Sequence, residues 1–183
     1  METPLVLAEN NRIETERLVL RPVTLADAQD MYEYASDEET TTFVFPRHQS
    51  LAETRQAIAE FFMAAPLGKF AIEYKENHKM IGTIDLRVNP DSTAELGYTI
   101  NKAYWGRGLV PEAARALLAL GFEQLDLVRI FAIHEVENPN SGRVMEKIGM
   151  SKESTVYEAK KMRDRVVNIV RYSVSKKEWS EQR

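Results

Sequence analysis

A glycine-rich turn directly before a helix is the first feature of this sequence that could do chemistry. In "WGRGLVPEAARALLALGF" (residues 105–122), Gly106 and Gly108 flank Arg107, and Pro111 falls in the first turn of a predicted helix. The glycines allow backbone N–H groups to point outward, and the helix start adds partial positive charge. The junction can therefore hold a phosphate or a pyrophosphate, although an ordinary turn before a core helix would use the same glycines.

The turn matches neither of two common nucleotide-binding motifs. It lacks the trailing Gly-Lys-Ser/Thr of a Walker A loop, and it lacks the third glycine and the parallel β-α-β unit of the dinucleotide fingerprint. ATP and NAD are therefore disfavoured as ligands. The helix is predicted to begin between Leu109 and Pro111, because the missing N–H of proline would be unpaired there in any case.

The composition removes several other chemistries. With no cysteine in 183 residues, the chain has no disulfide framework, no thiolate metal site and no cysteine nucleophile. His48, His78 and His134 lie far apart in the sequence, so we expect no metal cofactor. The net charge of −4 and the dispersed basic residues argue against nucleic acid as a direct partner.

No membrane or export segment is predicted. The opening "METPLVLAENN" lacks a basic leader and an apolar run, and no stretch approaches the roughly 18 apolar residues of a membrane span. We therefore expect a cytoplasmic protein without a membrane partner. The length of 183 residues is within the range of one domain, and we expect residues 1–183 to form a single one.

The elements that would position the turn alternate between strand and helix patterns. A strand is predicted at residues 16–23, and two helices follow the capping-box patterns Thr24–Asp27 and Ser50–Glu53. Residues 69–100 change to a two-residue period and predict a three-stranded antiparallel meander. After the helix of the glycine turn come a predicted strand, a short helix ending at Gly149 and a closing pair of strands. This order predicts a mixed α+β fold, in which a mostly antiparallel central sheet of about seven strands is flanked by about four helices.

Three stretches together resemble one known family. "AELGYTINKAYWGRGLVPEA" (residues 94–113), followed by "ENPNSGRVMEKIGM" (residues 137–150), resembles the GNAT acyltransferase superfamily, and in particular its branch of ribosomal-protein N-terminal acetyltransferases (RimJ/RimL-like). The opening "ETERLVLRPVTLADAQDMYEYASDEE" (residues 14–39) is similar to the first strand and helix of that branch. The similarity covers about residues 13–180, and the combination of stretches is specific.

The resemblance implies where acetyl-CoA would bind. In that family the glycine turn binds the pyrophosphate through backbone amides, the preceding bulged strand binds the pantetheine, and an Asn and a Ser at the start of the later helix lie beside the thioester. The positions implied here are Trp105, Gly106, Arg107, Gly108, Leu109 and Val110 in the turn, Leu96, Gly97 and Tyr98 in the strand, and Asn138 with Ser141. Trp105 replaces the usual Gln or Arg of the superfamily, and Val110 replaces a Gly or Ala and could narrow the pyrophosphate seat.

A base is needed because only a neutral amine attacks a thioester. Glu95 is the first choice, since it heads the strand that would face the cofactor and could accept the ammonium proton directly or through water. The alternative is a solvated glutamate at a strand edge. His134 and Glu135 are second choices, although a lone histidine is more often structural. Asp85 is a weaker candidate.

Other side chains are assigned less sharply. Ser141 is expected to stabilise the leaving thiolate by a hydrogen bond and Asn138 to orient the pantetheine amide, but "NPNS" is also a good helix start in which an asparagine simply caps. Tyr98 and Tyr104 are possible donors. Phe43, Phe45 and Tyr157 are candidates for the acceptor side, and Arg17 and Arg21 read as exposed strand charges.

The predicted function is acetyl transfer from acetyl-CoA to a primary amine by direct attack in a ternary complex. The absence of cysteine and of a G-x-S-x-G motif disfavours a covalent enzyme intermediate. The expected acceptor is a protein or peptide N-terminal α-amine, such as that of a ribosomal protein. The alternatives are a small-molecule amine as acceptor, or a non-catalytic acyl-CoA-binding domain. A monomer and a homodimer are both compatible with exposed edge strands.

Overall fold

One eight-stranded sheet organises the computed structural model, which describes residues 2–183. The strands are β1 (Ile13–Glu14), β2 (Leu18–Arg21), β3 (Lys69–Tyr74), β4 (Lys79–Val88), β5 (Thr93–Ile100), β6 (Arg129–Glu135), β7 (Ser151–Met162) and β8 (Arg165–Ser175). Their order across the sheet is β1-β2-β3-β4-β5-β6-β8-β7. All neighbours are antiparallel except β5 and β6, which run parallel.

Seven α-helices surround the sheet in the described part of the chain. They are α1 (Thr3–Glu9), α2 (Ala28–Ala35), α3 (Glu38–Thr41), α4 (Leu51–Ala57), α5 (Leu109–Ala119), α6 (Pro139–Lys147) and α7 (Lys176–Glu181). A wider π-type turn continues α4 over Ile58–Met63 and α5 over Leu120–Gln124. No helix within residues 2–183 is both long and apolar enough to cross a membrane.

The predicted α+β class and the mostly antiparallel sheet are confirmed, but the predicted counts are too low. The sheet has eight strands instead of about seven, because β1 is a two-residue strand that pairs with β2. The additional helices α1, α3 and α7 have only four to seven residues each. Elements this short show too little of a helical or strand period to be recognised in a sequence.

The two faces of the sheet carry separate cores. On one face α5 packs its buried stripe, which includes Leu117 and Leu118, against a cluster that contains Ile84, Leu86 and Leu96 of the sheet. The other face carries a smaller cluster around α2, with Met31, Tyr34, Ala71 and Met80 among its members. Because alternate residues of a strand point to opposite faces, β4 and β5 supply side chains to both sides of the sheet.

The parallel pair opens a gap in the middle of the sheet. β5 and β6 are paired only where Thr93–Glu95 lies against Arg129–Phe131. On its other edge β5 stays in unbroken register with β4 from Ala94 to Ile100. The bulge expected in β5 is therefore absent from its pairing with β4. On the other edge, the backbone of β5 is unpaired from residue 96 onward, where β5 separates from β6.

A glycine fixes how closely β4 approaches β5 near the end of that pairing. Gly82 lies opposite Ile100 in the ladder. A Cβ atom at position 82 would lie 2.2 Å from the carbonyl oxygen of Thr99 and 2.9 Å from the Cα atom of Ile100. No other residue fits without moving the backbone, so this close approach requires glycine.

Candidate active site

The glycine turn has the conformation that its sequence predicts. Gly106 and Gly108 both have φ of 73°, in the left-handed region that residues with a Cβ rarely adopt. The following helix α5 begins at Leu109, at one end of the predicted interval. A 3₁₀ turn over Lys102–Tyr104 connects β5 to this junction.

The backbone amides of the turn are free to bind a ligand. Within residues 2–183, the N–H groups from Gly106 to Val110 donate no hydrogen bond to the protein. A Cβ atom placed on Gly106 would have no neighbour within 4 Å, so the space above the turn is open. Five free amides at the start of α5, together with the partial positive charge of the helix, suit an anion.

A cleft of about 540 Å³ runs alongside this turn, and we call it the turn cleft. Its walls come from the end of β5, the turn itself, the start of α5, the helix α6 and the segment after α3. The lining residues are Glu39, Thr40, Phe43, Val44, Tyr98, Thr99, Ile100, Tyr104, Trp105, Gly106, Gly108, Leu109, Val110, Pro111, Asn138, Asn140, Ser141, Arg143, Val144 and Lys147. The cleft therefore joins the two stretches that the resemblance singles out.

A second cleft of about 280 Å³ lies on the β4, β5 and β6 side and is rich in charged groups, and we call it the polar cleft. Its lining residues are Phe43, Val44, Thr83, Asp85, Arg87, Glu95, Leu96, Gly97, Tyr98, Thr99, Ile133, His134, Glu135, Asn138, Ser141, Lys160 and Met162. Tyr98, Asn138 and Ser141 line both clefts. The two clefts thus meet beside the gap where β5 and β6 separate.

Hydrogen bonds fix the side chains at this meeting point. Asn138 Nδ2 donates to Ser141 Oγ at 3.1 Å, and the Tyr98 hydroxyl donates to the Ser141 carbonyl at 2.9 Å. Because Oγ accepts from Asn138, the hydroxyl proton of Ser141 is available to another acceptor. The Asn138 side chain caps no backbone amide of α6, so the simple capping alternative does not describe it. Burial raises the pKa of Tyr98, which keeps its hydroxyl protonated as a donor.

One guanidinium links two carboxylates in the polar cleft. Arg87 Nη2 lies 3.1 Å from Glu95 Oε1, and Arg87 Nε lies 3.2 Å from Asp85 Oδ2. Asp85 pairs with Gly97 across the ladder, where a Cβ would lie 2.8 Å from Asp85 Oδ1, so the glycine leaves room for the carboxylate. Burial raises the pKa of Asp85, and Arg87 offsets part of that rise. The two acidic groups therefore share one positive charge.

The second-choice bases are engaged in other contacts. His134 Nδ1 donates to the Glu135 carbonyl at 2.6 Å, which leaves Nε2 without the proton in the neutral ring, and the ring lies 5.7 Å from that of Tyr172. The Glu135 side chain is only 6% exposed and lies 2.8 Å from Arg165 Nη1. The Glu135 carboxylate is therefore occupied by Arg165 and almost fully buried.

Three side chains of the predicted turn have contacts of their own. The Arg107 side chain folds back onto the protein, where Nη2 donates to the Ala103 carbonyl at 3.1 Å and the guanidinium lies 5.0 Å from the Tyr104 ring centre. Arg107 lines neither cleft. Val110 is 6% exposed, so most of its side chain packs into the core and does not cover the turn. The Trp105 indole donates to the Ile100 carbonyl at 3.0 Å and forms part of the turn cleft wall.

Comparison with known proteins identifies the family. Residues 17–151 match the family described as "Acetyltransferase (GNAT) domain". The chain is 30% identical over 172 residues to "Uncharacterized N-acetyltransferase p20" of Bacillus licheniformis, and this match covers 91% of the chain and 97% of that protein. The chain belongs to the GNAT acetyltransferase family.

Further relatives agree with this GNAT assignment. The chain is 28% identical over 129 residues to the ribosomal-protein-serine acetyltransferase of Escherichia coli (strain K12), covering 68% of the chain and 72% of that protein. A solved structure of a GNAT family acetyltransferase from Bacillus anthracis aligns with a TM-score of 0.83 at 27% identity, covering 91% of the chain and 99% of that structure. The chain is therefore an acetyltransferase with the GNAT fold.

GNAT enzymes use acetyl-CoA as acetyl donor, and the residues of the turn cleft fit it. The free amides and the helix start suit the pyrophosphate, and the unpaired edge of β5 after Glu95 offers backbone groups to the pantetheine. Arg143 and Lys147, which the sequence analysis does not single out, add positive charge from α6. Their spacing of four residues on one helix face is the signal that would have placed them together.

Arg17 and Arg21 are not the exposed strand charges expected from the sequence. Arg21 Nη2 and Nε lie 2.7 and 2.6 Å from Asp27 and Glu73, and the Arg21 side chain is 20% exposed. Arg17 reaches the glycine turn of this GNAT domain and pairs with Glu112. The pairings with Glu73 and Glu112 join residues 52 and 95 positions apart, which no local pattern reveals.

Proposed function

We propose that this GNAT acetyltransferase transfers the acetyl group of acetyl-CoA to a primary amine by direct attack in a ternary complex. The observation that carries the proposal is the junction of the two clefts at Tyr98, Asn138 and Ser141. One cleft has free backbone amides for a diphosphate and the other has carboxylates for an ammonium group. A donor and an acceptor can therefore meet at one point without a covalent enzyme intermediate.

Residues of the polar cleft and of the junction supply the proton transfers. We assign Glu95 as the group that accepts a proton from the acceptor ammonium, directly or through water, which frees the electron pair of nitrogen to form the new N–C bond. Ser141 donates its hydroxyl hydrogen bond toward the sulfur as the C–S bond breaks. The second proton of the attacking nitrogen passes to the leaving thiolate, so that the products are the amide and the free CoA thiol. Asn138 holds the serine oxygen in place. Asp85 is the second carboxylate that could receive the proton.

We propose an N-terminal α-amine of a protein or peptide, of the ribosomal-protein kind, as the acceptor. The relative named ribosomal-protein-serine acetyltransferase supports this choice. The acidic groups of the polar cleft favour a cationic amine. An α-amine also has the lowest pKa of the protein amines, about 8, so its ammonium form gives up its proton to a carboxylate base more readily than that of a lysine side chain.

The first test separates donor binding from turnover. Thermal unfolding is measured with CoA, acetyl-CoA and ATP, and a ligand at 100 times its dissociation constant should stabilise by about 2.7 kcal/mol, which is a shift of several degrees. Stabilisation by the CoA compounds and not by ATP supports the turn as the diphosphate site. Equal stabilisation by ATP, or none by CoA, refutes it.

The second test identifies the acceptor class. Release of free CoA thiol is followed with peptides that begin with serine or alanine, with the same peptides blocked by N-acetylation, and with spermidine, and the products are checked by mass spectrometry. Turnover of the free peptides alone supports the α-amine. Turnover of spermidine alone favours a small-molecule acceptor, and turnover of neither with intact CoA binding would favour a binding domain.

A further inference from the structure

Arg17 connects the first part of the chain to the glycine turn. It lies directly before β2, about 90 residues from the turn in sequence. Its Nη1 donates to the Arg107 carbonyl at 2.9 Å, its Nη2 to the Gly108 carbonyl at 3.4 Å, and its Nε to Glu112 at 2.7 Å. One guanidinium therefore spans two peptide groups of the turn and the first turn of α5.

Glu112 anchors that guanidinium. Its Oε1 accepts from the Arg17 backbone N–H at 2.8 Å and from the Thr15 hydroxyl at 2.7 Å, while its Oε2 accepts from Arg17 Nε. Burial alone would raise the pKa of Glu112, but the hydrogen bonds from Thr15 and Arg17 outweigh it and lower that pKa. The carboxylate is therefore ionised at neutral pH and holds Arg17 in one orientation.

Holding the carbonyls of the turn also orients its amides. In a trans peptide the C=O and the N–H point in opposite directions. The carbonyls of Arg107 and Gly108 belong to the same peptide planes as the N–H groups of Gly108 and Leu109. Since Arg17 binds both carbonyls from one side, the two N–H groups face the other side, where they donate no hydrogen bond to any described residue.

We propose that Arg17 is a positioning residue for acetyl-CoA, which orients the Gly108 and Leu109 amides toward the diphosphate by holding the carbonyls of the turn. The inference rests on the proposed function of the turn cleft. The positive charge of Arg17 is largely neutralised by Glu112, so Arg17 acts through the backbone and not as a direct phosphate ligand. A lysine offers one compact donor group and cannot span the three acceptors. Arg17→Lys therefore keeps the positive charge but loses the geometry of the guanidinium.

The test compares Arg17→Met and Arg17→Lys with Arg12→Met, a nearby exposed arginine paired with Glu14. Dissociation constants are measured by calorimetry for CoA and dephospho-CoA, which both carry the diphosphate, and by NMR for pantetheine, which does not. Both Arg17 variants should bind CoA and dephospho-CoA about tenfold more weakly and pantetheine as before, and Arg12→Met should match the wild type. Equal CoA affinity in Arg17→Met, or an equal loss for pantetheine, overturns the inference.

A second measurement does not depend on CoA binding. Backbone order parameters for Gly108 and Leu109 are obtained by ¹⁵N relaxation on the unliganded protein. These order parameters should be about 0.85 in the wild type and fall in Arg17→Met, with Arg17→Lys between the two. Unchanged values would show that Arg17 does not fix the turn. If the wild type binds no CoA, the proposed function fails, while this result still decides whether Arg17 positions the amides.

Discussion

The turn cleft and the polar cleft are assembled from the sequence in opposite ways. The turn cleft draws much of its wall from one continuous stretch, from Tyr98 to Pro111, in which the backbone provides the binding groups. The polar cleft combines side chains of β4, β5, β6 and β7, which are scattered between Thr83 and Met162. The difference teaches that local sequence encodes the proposed donor side, whereas the sheet register encodes the proposed acceptor side.

The two clefts should also respond differently to substitution. Backbone amides cannot be removed by changing a side chain, so the turn cleft is sensitive chiefly to changes in conformation. The carboxylates of the polar cleft can be neutralised one at a time without moving the backbone. Variants of the polar cleft should therefore lower turnover, and variants of the turn should weaken CoA binding.

The largest effect is expected in the polar cleft. Glu95→Gln should lower kcat about 100-fold or more, because it removes the proposed proton acceptor, and should leave the dissociation constant for CoA unchanged. Steady-state kinetics and calorimetry measure the two quantities. Asp126→Asn, at an exposed surface ion pair with Lys176, is the matched control and should have the kcat and the CoA dissociation constant of the wild type. A greater loss in Asp85→Asn than in Glu95→Gln would transfer the role to Asp85.

The next effect is expected in the turn. Gly106→Ala should destabilise the protein by about 1–2 kcal/mol, since alanine must adopt a φ of 73° there, and should weaken CoA binding about tenfold. Gly149→Ala imposes the same kind of backbone strain at φ of 90° and also displaces the Gln182 side chain, but it lies outside both clefts and should leave CoA affinity unchanged. Chemical denaturation and calorimetry provide the comparison. A normal affinity in Gly106→Ala would show that the turn does not hold the ligand.

A smaller effect is expected where the clefts meet. Tyr98→Phe removes the hydroxyl that donates to the Ser141 carbonyl and should reduce the free energy of unfolding by about 1 kcal/mol. We expect kcat to fall less than in Glu95→Gln, because Ser141 keeps its bond to Asn138. Tyr157 lies outside both clefts, contrary to the acceptor-side expectation, and is 74% exposed, so Tyr157→Phe should change neither quantity. A loss of activity as large as that of Glu95→Gln would make Tyr98 a catalytic donor.

The smallest effect concerns acid stability at the turn. The pKa of Glu112 is lowered from its ordinary value of 4.5, so its contribution to stability is complete above that value and is lost as the pH falls through the folded-state pKa. The difference in the free energy of unfolding between the wild type and Glu112→Gln should therefore shrink as the pH falls. Urea denaturation between pH 7 and about pH 3 measures this difference. A constant gap across that range would contradict the assigned role of the carboxylate.

Local features of the fold and the site were predictable from the sequence. The start of α5, the left-handed glycines and the meander of β3, β4 and β5 all follow from spacing within a few residues. The cap at Thr24 is also present, since its N–H donates to Asp27 at 2.9 Å. Each of these depends on short-range sterics and hydrogen bonds, which a single stretch of chain determines.

Non-local features were not predictable. The pairing of Arg17 with the turn joins segments about 90 residues apart. The contact of Arg87 with Glu95 depends on the register between β4 and β5. The gap between β5 and β6 arises from the divergence of two strands, which has no counterpart in residue spacing.

The close approach at Gly82 connects strand pairing to the separation of the two proposed substrate sites. Within β5, Tyr98 reaches toward Ser141 on one face, while Glu95 and Gly97 belong to the face that carries Asp85 and Arg87. A shift of one residue in the β4–β5 register would exchange these faces and deliver the carboxylate to the wrong side of the sheet. Gly82 allows the close contact between β4 and β5 in the observed register. A residue outside both clefts thereby supports the alignment that keeps Tyr98 and Glu95 on opposite faces of β5.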